Sequence, residues 1–125
     1  MAEIARLKRR AEFLRVAGSR RKSVTPGLIL QILRRPECGE PAGDAERVRI
    51  GLTASRKVGI AVVRNRARRR LKAAVDRVMP SHAAGGHDYV LVARGTTVER
   101  PFAALLGDLE TALKQLGAWR AGSER

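Results

Sequence analysis

The fold is decided by residues 55–72, which read Ser-Arg-Lys-Val-Gly-Ile-Ala-Val-Val-Arg-Asn-Arg-Ala-Arg-Arg-Arg-Leu-Lys. This stretch contains no Asp or Glu. Large aliphatic residues stand among its charges, whereas a disordered basic tail is poor in them. The stretch is therefore predicted to belong to a folded element that faces a polyanion. Its cations are Arg56, Lys57, Arg64, Arg66, Arg68, Arg69, Arg70 and Lys72.

Helical winding at roughly 100° per residue separates residues 63–78 into two faces. The apolar stripe consists of Val63, Ala67, Leu71, Ala74, Val75 and Val78. The opposite side consists of Asn65, Arg66, Arg68, Arg69 and Lys72, and Arg64 and Arg70 flank the stripe. Like charges four residues apart repel each other unless an anion neutralises them. The pattern predicts an amphipathic helix that binds a polyanion, with Gly59 allowing the turn that brings Lys57 near its start.

The whole composition agrees with a basic, folded domain. The chain has 125 residues, 44% of them apolar, and a formal net charge of +14. This charge favours a nucleic acid partner or, less often, an anionic membrane surface. Only 3% of the residues are aromatic, which argues against a protein that stacks bases on several aromatic platforms.

Nothing at the amino terminus resembles a signal peptide, and no run approaches the roughly 20 apolar residues of a membrane span. We therefore expect a cytoplasmic location. Cys38 is the only cysteine, so neither a disulfide framework nor a thiolate metal site is expected.

The order of patterns predicts a single α+β domain over residues 1–125, with a core at about residues 4–117 and a frayed tail at 118–125. A sheet of three to four strands is expected to pack with helices in the order α-β-β-α-β-α, with a possible extra short strand near residues 20–25. The acidic segment 36–46 is expected to be a loop. The first predicted helix covers residues 4–16, the basic helix ends at about Met79, and a last helix runs from Pro101 to a C-cap at Gly117. The predicted strands cover residues 28–33, 47–55 and 89–93.

Three segments resemble the bacterial ribonuclease P protein subunit family. They are Arg6-Leu7-Lys8 with Phe13 after it, the Gly51-Leu52-Thr53-Ala54-Ser55-Arg56-Lys57-Val58-Gly59 strand and turn, and Ala61-Val62-Val63-Arg64-Asn65-Arg66-Ala67-Arg68-Arg69. The last is the most specific, because its Arg-Asn-Arg motif occurs with the expected strand, turn and helix. The resemblance covers roughly residues 4–117.

The resemblance implies a left-handed βαβ crossover around the basic helix, against the usual right-handed preference. It also implies that the catalyst is an RNA, which uses bound Mg²⁺ to cut precursor tRNA and release the mature 5′ end. The protein would bind this RNA through the basic helix. A cleft between the first helix, the sheet and the basic helix would hold the single-stranded 5′ leader.

Position by position, the expected RNA-binding residues are Arg56, Lys57, Arg64, Asn65, Arg66, Arg68, Arg69, Arg70 and Lys72. The expected residues of the leader groove are Phe13, Ile29, Gln31 and Arg49. Other family members tend to have further aromatics in the groove, where this chain has Ala17, Leu28 and Gln31. Contacts to phosphates and sugars are therefore expected to carry more of the binding.

The residues themselves give no sign of a protein-borne catalytic or metal site. A protein nuclease needs converging carboxylates for metals, or an acid and a base in place. No Asp-x-Asp or His-x-x-x-His spacing occurs, and His82 and His87 flank a predicted Gly85-Gly86 loop as surface residues. The expected role is electrostatic, with guanidinium groups holding phosphates.

Three other readings fit part of the pattern. A general RNA-binding or ribosome-binding protein would share the composition and differ only in the order of motifs. A DNA-binding module would need a helix-turn-helix or zipper partner for the arginine helix, and none is evident. Binding at a membrane surface would need Trp or Phe on the apolar side of the basic helix.

Overall fold

The computed structural model describes residues 4–34 and 48–120, and they form the predicted α+β fold. A 3₁₀ turn at Arg56–Val58 precedes the long helix. The strands are β1 (Ile4–Arg6), β2 (Lys22–Val24), β3 (Leu28–Arg34), β4 (Val48–Thr53) and β5 (His87–Ala93). The helices are α1 (Arg10–Gly18), α2 (Ala61–His82) and α3 (Phe102–Gln115).

All five strands lie in one mixed sheet, in the order β1-β4-β5-β3-β2. The neighbours β1, β4 and β5 run parallel, whereas β3 is antiparallel to both β5 and β2. Since β4 and β5 are adjacent and parallel, the basic helix α2 is the crossover between them. The left hand of this crossover stays a prediction from the resemblance.

The main core lies between one face of the sheet and the helices α2 and α3. Inward residues alternate along the strands, as Leu28, Leu30 and Ile32 do along β3. Helix α1 covers the other face, where Val16 packs with Val90. The fold therefore has helices on both sides of the sheet, and α1 shields only part of its side.

The first predicted helix is wrong at its start, because residues 4–6 form β1. This strand pairs with the first half of β4, with Ile4 opposite Val48. The backbone N–H of Leu7 then donates to the Ile50 carbonyl at 2.7 Å. Three residues carry no readable periodicity, and their partner lies more than forty positions away, so the pattern gave no sign of the pairing. The possible extra strand near residues 20–25 is confirmed as β2.

The end of α2 also differs from the expectation, because the helix continues through Pro80 to His82. Proline removes one backbone donor from a helix. Pro80 lies in the last turn of the helix, so only a hydrogen bond near the helix end is lost. The Ala83 N–H still donates to the Met79 carbonyl at 3.0 Å.

The prediction that residues 118–125 form a frayed tail is wrong for the first of these residues. Gly117 has a φ of 71°, and it ends α3 in the left-handed conformation typical of a helix terminus. Ala118 is buried and accepts a hydrogen bond from the Ala84 N–H at 2.9 Å. Trp119 stacks on His82 with ring centroids 4.0 Å apart. The rest of the predicted tail, the acidic loop with Cys38, and Arg47 lie outside the described residues.

Within the two described segments, no helix is both long enough and apolar enough to span a membrane.

Candidate nucleic-acid interface

The turn before α2 positions the first cations of the interface. The Ser55 hydroxyl accepts a hydrogen bond from the Lys57 N–H at 3.3 Å. Gly59 has a φ of 149°, and a Cβ at this position would lie 2.9 Å from Val63 Cγ1. Only glycine fits without strain. The turn leaves Arg56 and Lys57 exposed beside the start of the helix.

The two faces of α2 are those that the periodicity predicted. The buried residues of the helix are Ala67, Leu71, Ala74, Val75 and Met79. Val63 and Val78 are half-buried at the ends of this stripe. We call Asn65, Arg66, Arg68, Arg69 and Lys72 on the opposite side the cationic face. The stripe anchors the helix in the core, so the cationic face can interact without disturbing the packing.

Members of the cationic face differ in their own contacts. Arg68 donates to the Asn65 side-chain oxygen at 2.7 Å, and Lys72 pairs with Asp76 at 2.8 Å. Within residues 4–34 and 48–120, Arg66 and Arg69 make no hydrogen bond or ion pair, and both are exposed. These two guanidinium groups therefore offer all their donors to a partner.

Two further arginines of the predicted set hold the fold around α2. Arg64 donates to the Gly59 carbonyl at 3.0 Å and so closes the preceding turn. Arg70 donates to the carbonyls of Thr97, at 3.0 Å, and Arg100, and its guanidinium lies 6.0 Å from the Phe102 ring centre. Arg70 thus ties α2 to the connection between β5 and α3, and its contact with RNA stays a prediction.

A groove runs between α1, the end of β4 and the start of α2. Phe13 on α1 lies against Gly51 of β4, where a Cβ would be 2.3 Å from the ring. The lining consists of Arg10, Phe13, Leu52, Thr53, Ala54 and Arg68. The groove therefore has an apolar floor and an arginine at each side.

The sheet face continues this floor away from α1. Thr53 pairs with Val92, Val92 with Ile29, and Ile29 with Val24, so these four form one row across the sheet. Gln31 lies in the next row, opposite Val90. The predicted groove residues Phe13, Ile29 and Gln31 therefore share one face.

The predicted groove residues did not include Thr53 or Val24. The alternation of β4 could have identified Thr53, because it points to the same side as Arg49 and Gly51. Val24 has no such signal, since β2 is only three residues long.

Arg49 is the predicted groove residue whose charge is already engaged. Its guanidinium donates to both oxygens of Asp88, at 2.8 and 2.7 Å, and to Glu12 Oε2 at 3.0 Å. Hydrogen bonds from Arg49 to Asp88 raise the pKa of the guanidinium above its ordinary value. This network joins β4, β5 and α1. Contact of Arg49 with a leader stays a prediction.

Glu12 has a second function at the start of α1. Its Oε1 accepts hydrogen bonds from the backbone N–H groups of Arg9, at 3.0 Å, and Lys8, at 2.9 Å. These two bonds, followed by the charge of Arg49, hold the pKa of the Glu12 carboxyl below its ordinary value. The carboxylate therefore fixes the helix end that bears Phe13 and Arg10.

The two histidines lie away from the groove. His82 ends α2, stacked on Trp119, and His87 begins β5 with its Nδ1 2.8 Å from the Gly85 carbonyl oxygen. They are thus a helix end and a strand start rather than loop residues. Over the described parts of the chain, no three His, Cys, Asp or Glu side chains are grouped so that they could hold a metal ion.

The fold and this surface define a class of protein: a small basic α+β domain whose crossover helix and adjacent groove form one positively charged face. The family model described as Ribonuclease P matches residues 1–117. The chain therefore belongs to the ribonuclease P protein family, the protein components of an endoribonuclease, and the resemblance seen in the sequence is confirmed.

Curated relatives and solved structures agree with this assignment. A ribonuclease P protein component from Paramagnetospirillum magneticum is 54% identical over 117 residues, covering 94% of this chain and 86% of the relative. One from Gluconacetobacter diazotrophicus is 50% identical over 112 residues, covering 90% of each. The Staphylococcus aureus RNase P protein structure has a TM-score of 0.73 at 22% identity, covering 92% of this chain and 97% of that one. This last similarity concerns the fold.

Proposed function

We propose that this chain is the protein subunit of the ribonuclease P ribonucleoprotein and supports Mg²⁺-dependent removal of the 5′ leader from precursor tRNA. In this proposal the cationic face of α2 binds the catalytic RNA, and the groove beside α1 binds the single-stranded leader. The observation that carries it is the pair Arg66 and Arg69, exposed and without a partner in the described structure, on a helix that borders the groove.

The cationic face would act by electrostatics. Arginine remains charged at any physiological pH and presents planar donors that match phosphate oxygens. Phosphates of two RNAs, the catalyst and the substrate, repel each other where they meet. Arginines between them reduce this repulsion and lower the concentration of Mg²⁺ that the assembly needs. If about six to ten phosphates are contacted, affinity should fall roughly 10³–10⁵-fold between about 50 and 200 mM salt.

The groove would hold the leader mainly through its sugars and phosphates. Phe13 is the aromatic residue of the lining, and the floor beyond it is aliphatic along Val92 and Ile29. Arg10 and Arg68 stand at the sides, where they can bind phosphates of a strand lying between them. Such a surface distinguishes bases weakly, because sequence is read by hydrogen bonds to base edges.

We assign the chemistry to the RNA and give the protein no catalytic residue and no metal ligand. The described residues do not fit a metal site, since none of their His, Cys, Asp and Glu side chains form a group of three. Mg²⁺ would be held by the RNA component. The location expected for this assembly is the cytoplasm, with no role for a membrane or for DNA.

Cleavage of a 5′-extended precursor tRNA at low Mg²⁺ tests the proposal. The reactions contain bacterial ribonuclease P RNA alone, the protein alone, or both. We expect cleavage at the mature 5′ end only from the combination. Cleavage by the protein alone would reveal an active site in the chain, and tight RNA binding without stimulation would favour a general RNA-binding protein.

A pair of variants links the activity to the cationic face. Arg66→Ala with Arg69→Ala should abolish the stimulation at low Mg²⁺ and leave the fold intact. Arg77→Ala is the matched control: it removes an exposed arginine from the same helix, about 12 Å beyond Arg69 and about 16 Å beyond Arg66. An equal loss for each arginine removed would mean that net charge, rather than this face, supports the activity.

A further inference from the structure

We infer that Ile60 and Val62, at the start of α2, form an apolar contact with unpaired nucleotides of the catalytic RNA. This inference rests on the proposed function and extends it, since it assigns a non-electrostatic part of the interface to two aliphatic residues. We call these two residues the apolar tip.

The apolar tip is exposed far beyond what the fold requires. Ile60 is 72% exposed and Val62 is 61% exposed. The other large hydrophobic residues with comparable exposure in the described structure are Leu14 and Val24. Those two lie on α1 and β2, whereas the apolar tip lies within a single turn of the basic helix.

Packing inside the protein does not account for these residues. The inward positions of this turn are Val58, which packs against the main core, and Val63, which lies against Gly59. The exposed positions between them could be polar at no cost to the core. Aliphatic side chains left in water at such positions are typical of a binding surface.

The neighbouring charges identify the occupant as RNA. Val62, Arg66 and Arg69 follow one line along the helix, at spacings of four and three residues. Arg56 and Lys57 lie in the turn that precedes the tip, and both are exposed. A protein partner would have to be strongly acidic to approach here, whereas a nucleotide offers phosphates to the cations and ribose and base carbons to the tip. Unpaired nucleotides expose those carbons, and paired ones bury their bases.

The test measures binding to ribonuclease P RNA alone, without substrate, at several salt concentrations. The variant is Ile60→Ser with Val62→Ala, substitutions that favour a helix cap and a helix interior respectively. We expect the Kd to rise about tenfold at every salt concentration, with the slope of log K against log salt unchanged. By contrast, Arg66→Ala with Arg69→Ala should reduce that slope by about 0.7–0.9 for each lost phosphate contact.

Leu14→Ala is the matched control, because Leu14 is 56% exposed and lies on another helix. The Leu14→Ala variant should bind this RNA as the wild type does. Unchanged affinity of the apolar-tip variant, or a loss equal to that of the control, would overturn the inference and leave the proposed function intact. Self-association of the wild type in sedimentation that is lost in the apolar-tip variant, with RNA binding unchanged, would assign the tip to a second copy of the chain and overturn the inference too. A wild type that fails to bind the RNA would overturn the proposed function itself.

Discussion

The ring of Phe13 lies so close over Gly51 that a single methyl group on Gly51 would come within 2.3 Å of it. This contact sets the distance between α1 and the sheet, and α1 is one wall of the groove. A residue without a side chain in β4 therefore fixes the shape of a surface formed by other residues. Glycine within a strand often marks such a close approach.

Gly51→Ala should displace Phe13 and lower the free energy of unfolding by about 1–3 kcal/mol, the usual cost of overpacking. Urea unfolding measures the loss, and precursor tRNA binding by the ribonucleoprotein should weaken with it. Gly107→Ala is the control, because a Cβ there meets nothing within 4 Å in the middle of α3. That change should stabilise by about 0.5–1 kcal/mol. Equal changes in the free energy of unfolding at the two glycines would contradict the contact between Phe13 and Gly51.

Arg69 and Arg70 are adjacent in sequence and should respond in opposite ways. Arg70→Ala removes two hydrogen bonds to carbonyls and the contact with Phe102, so it should destabilise the fold by about 1–3 kcal/mol. Arg69→Ala should leave stability within about 0.5 kcal/mol of the wild type and weaken RNA binding. Thermal unfolding and filter binding on the same two variants measure both effects. A large loss of stability in Arg69→Ala would show that the faces are assigned wrongly.

The turn before α2 should depend on glycine at position 59. Its φ of 149° and the nearby Val63 make any side chain strained, so Gly59→Ala should cost about 1–3 kcal/mol. Because the turn carries Arg56 and Lys57, RNA affinity should fall as well. Gly95→Ala, where a Cβ meets nothing within 4 Å, should change neither quantity much. Wild-type stability in Gly59→Ala would mean that the turn has another conformation.

Stability should depend on acid through Glu12. Its pKa is below the ordinary value of 4.5 in the folded protein, so its contribution is complete above that value. The contribution is lost as the pH falls from about 4.5 through the folded pKa, since protonation is then easier in the unfolded chain. Urea unfolding between pH 7 and pH 3 should show a decline that is shallower in Glu12→Gln.

The control for this measurement is Glu110→Gln, which removes an exposed carboxylate paired with Lys114. Exposed pairs of this kind contribute little, so that variant should keep the wild-type decline. A Glu12→Gln variant with the full wild-type decline would show that other carboxylates cause it.

The sequence by itself determined the faces of α2, the apolar side of α3, and the existence of β3, β4 and β5. Apolar residues recur every two positions in a strand and every three to four positions in a helix, so the sequence of one segment is enough to identify each of these features. It also determined the family, because the Arg-Asn-Arg helix occurs with its strand and turn. The exposed Arg66 and Arg69 follow directly from this local pattern.

Only the tertiary structure decided which charges are available. Arg49 reads as a free basic residue on an open strand face, but Asp88 and Glu12 engage it from two other elements. In the sequence, Arg70 is one more cation of the basic helix, but its guanidinium donates to the carbonyls of Thr97 and Arg100, which lie about thirty residues away. Strand β1 likewise depends on a distant partner. The physical reason is the same each time: periodicity is a property of neighbours along the chain, whereas an ion pair or a strand pairing depends on residues that only folding brings together.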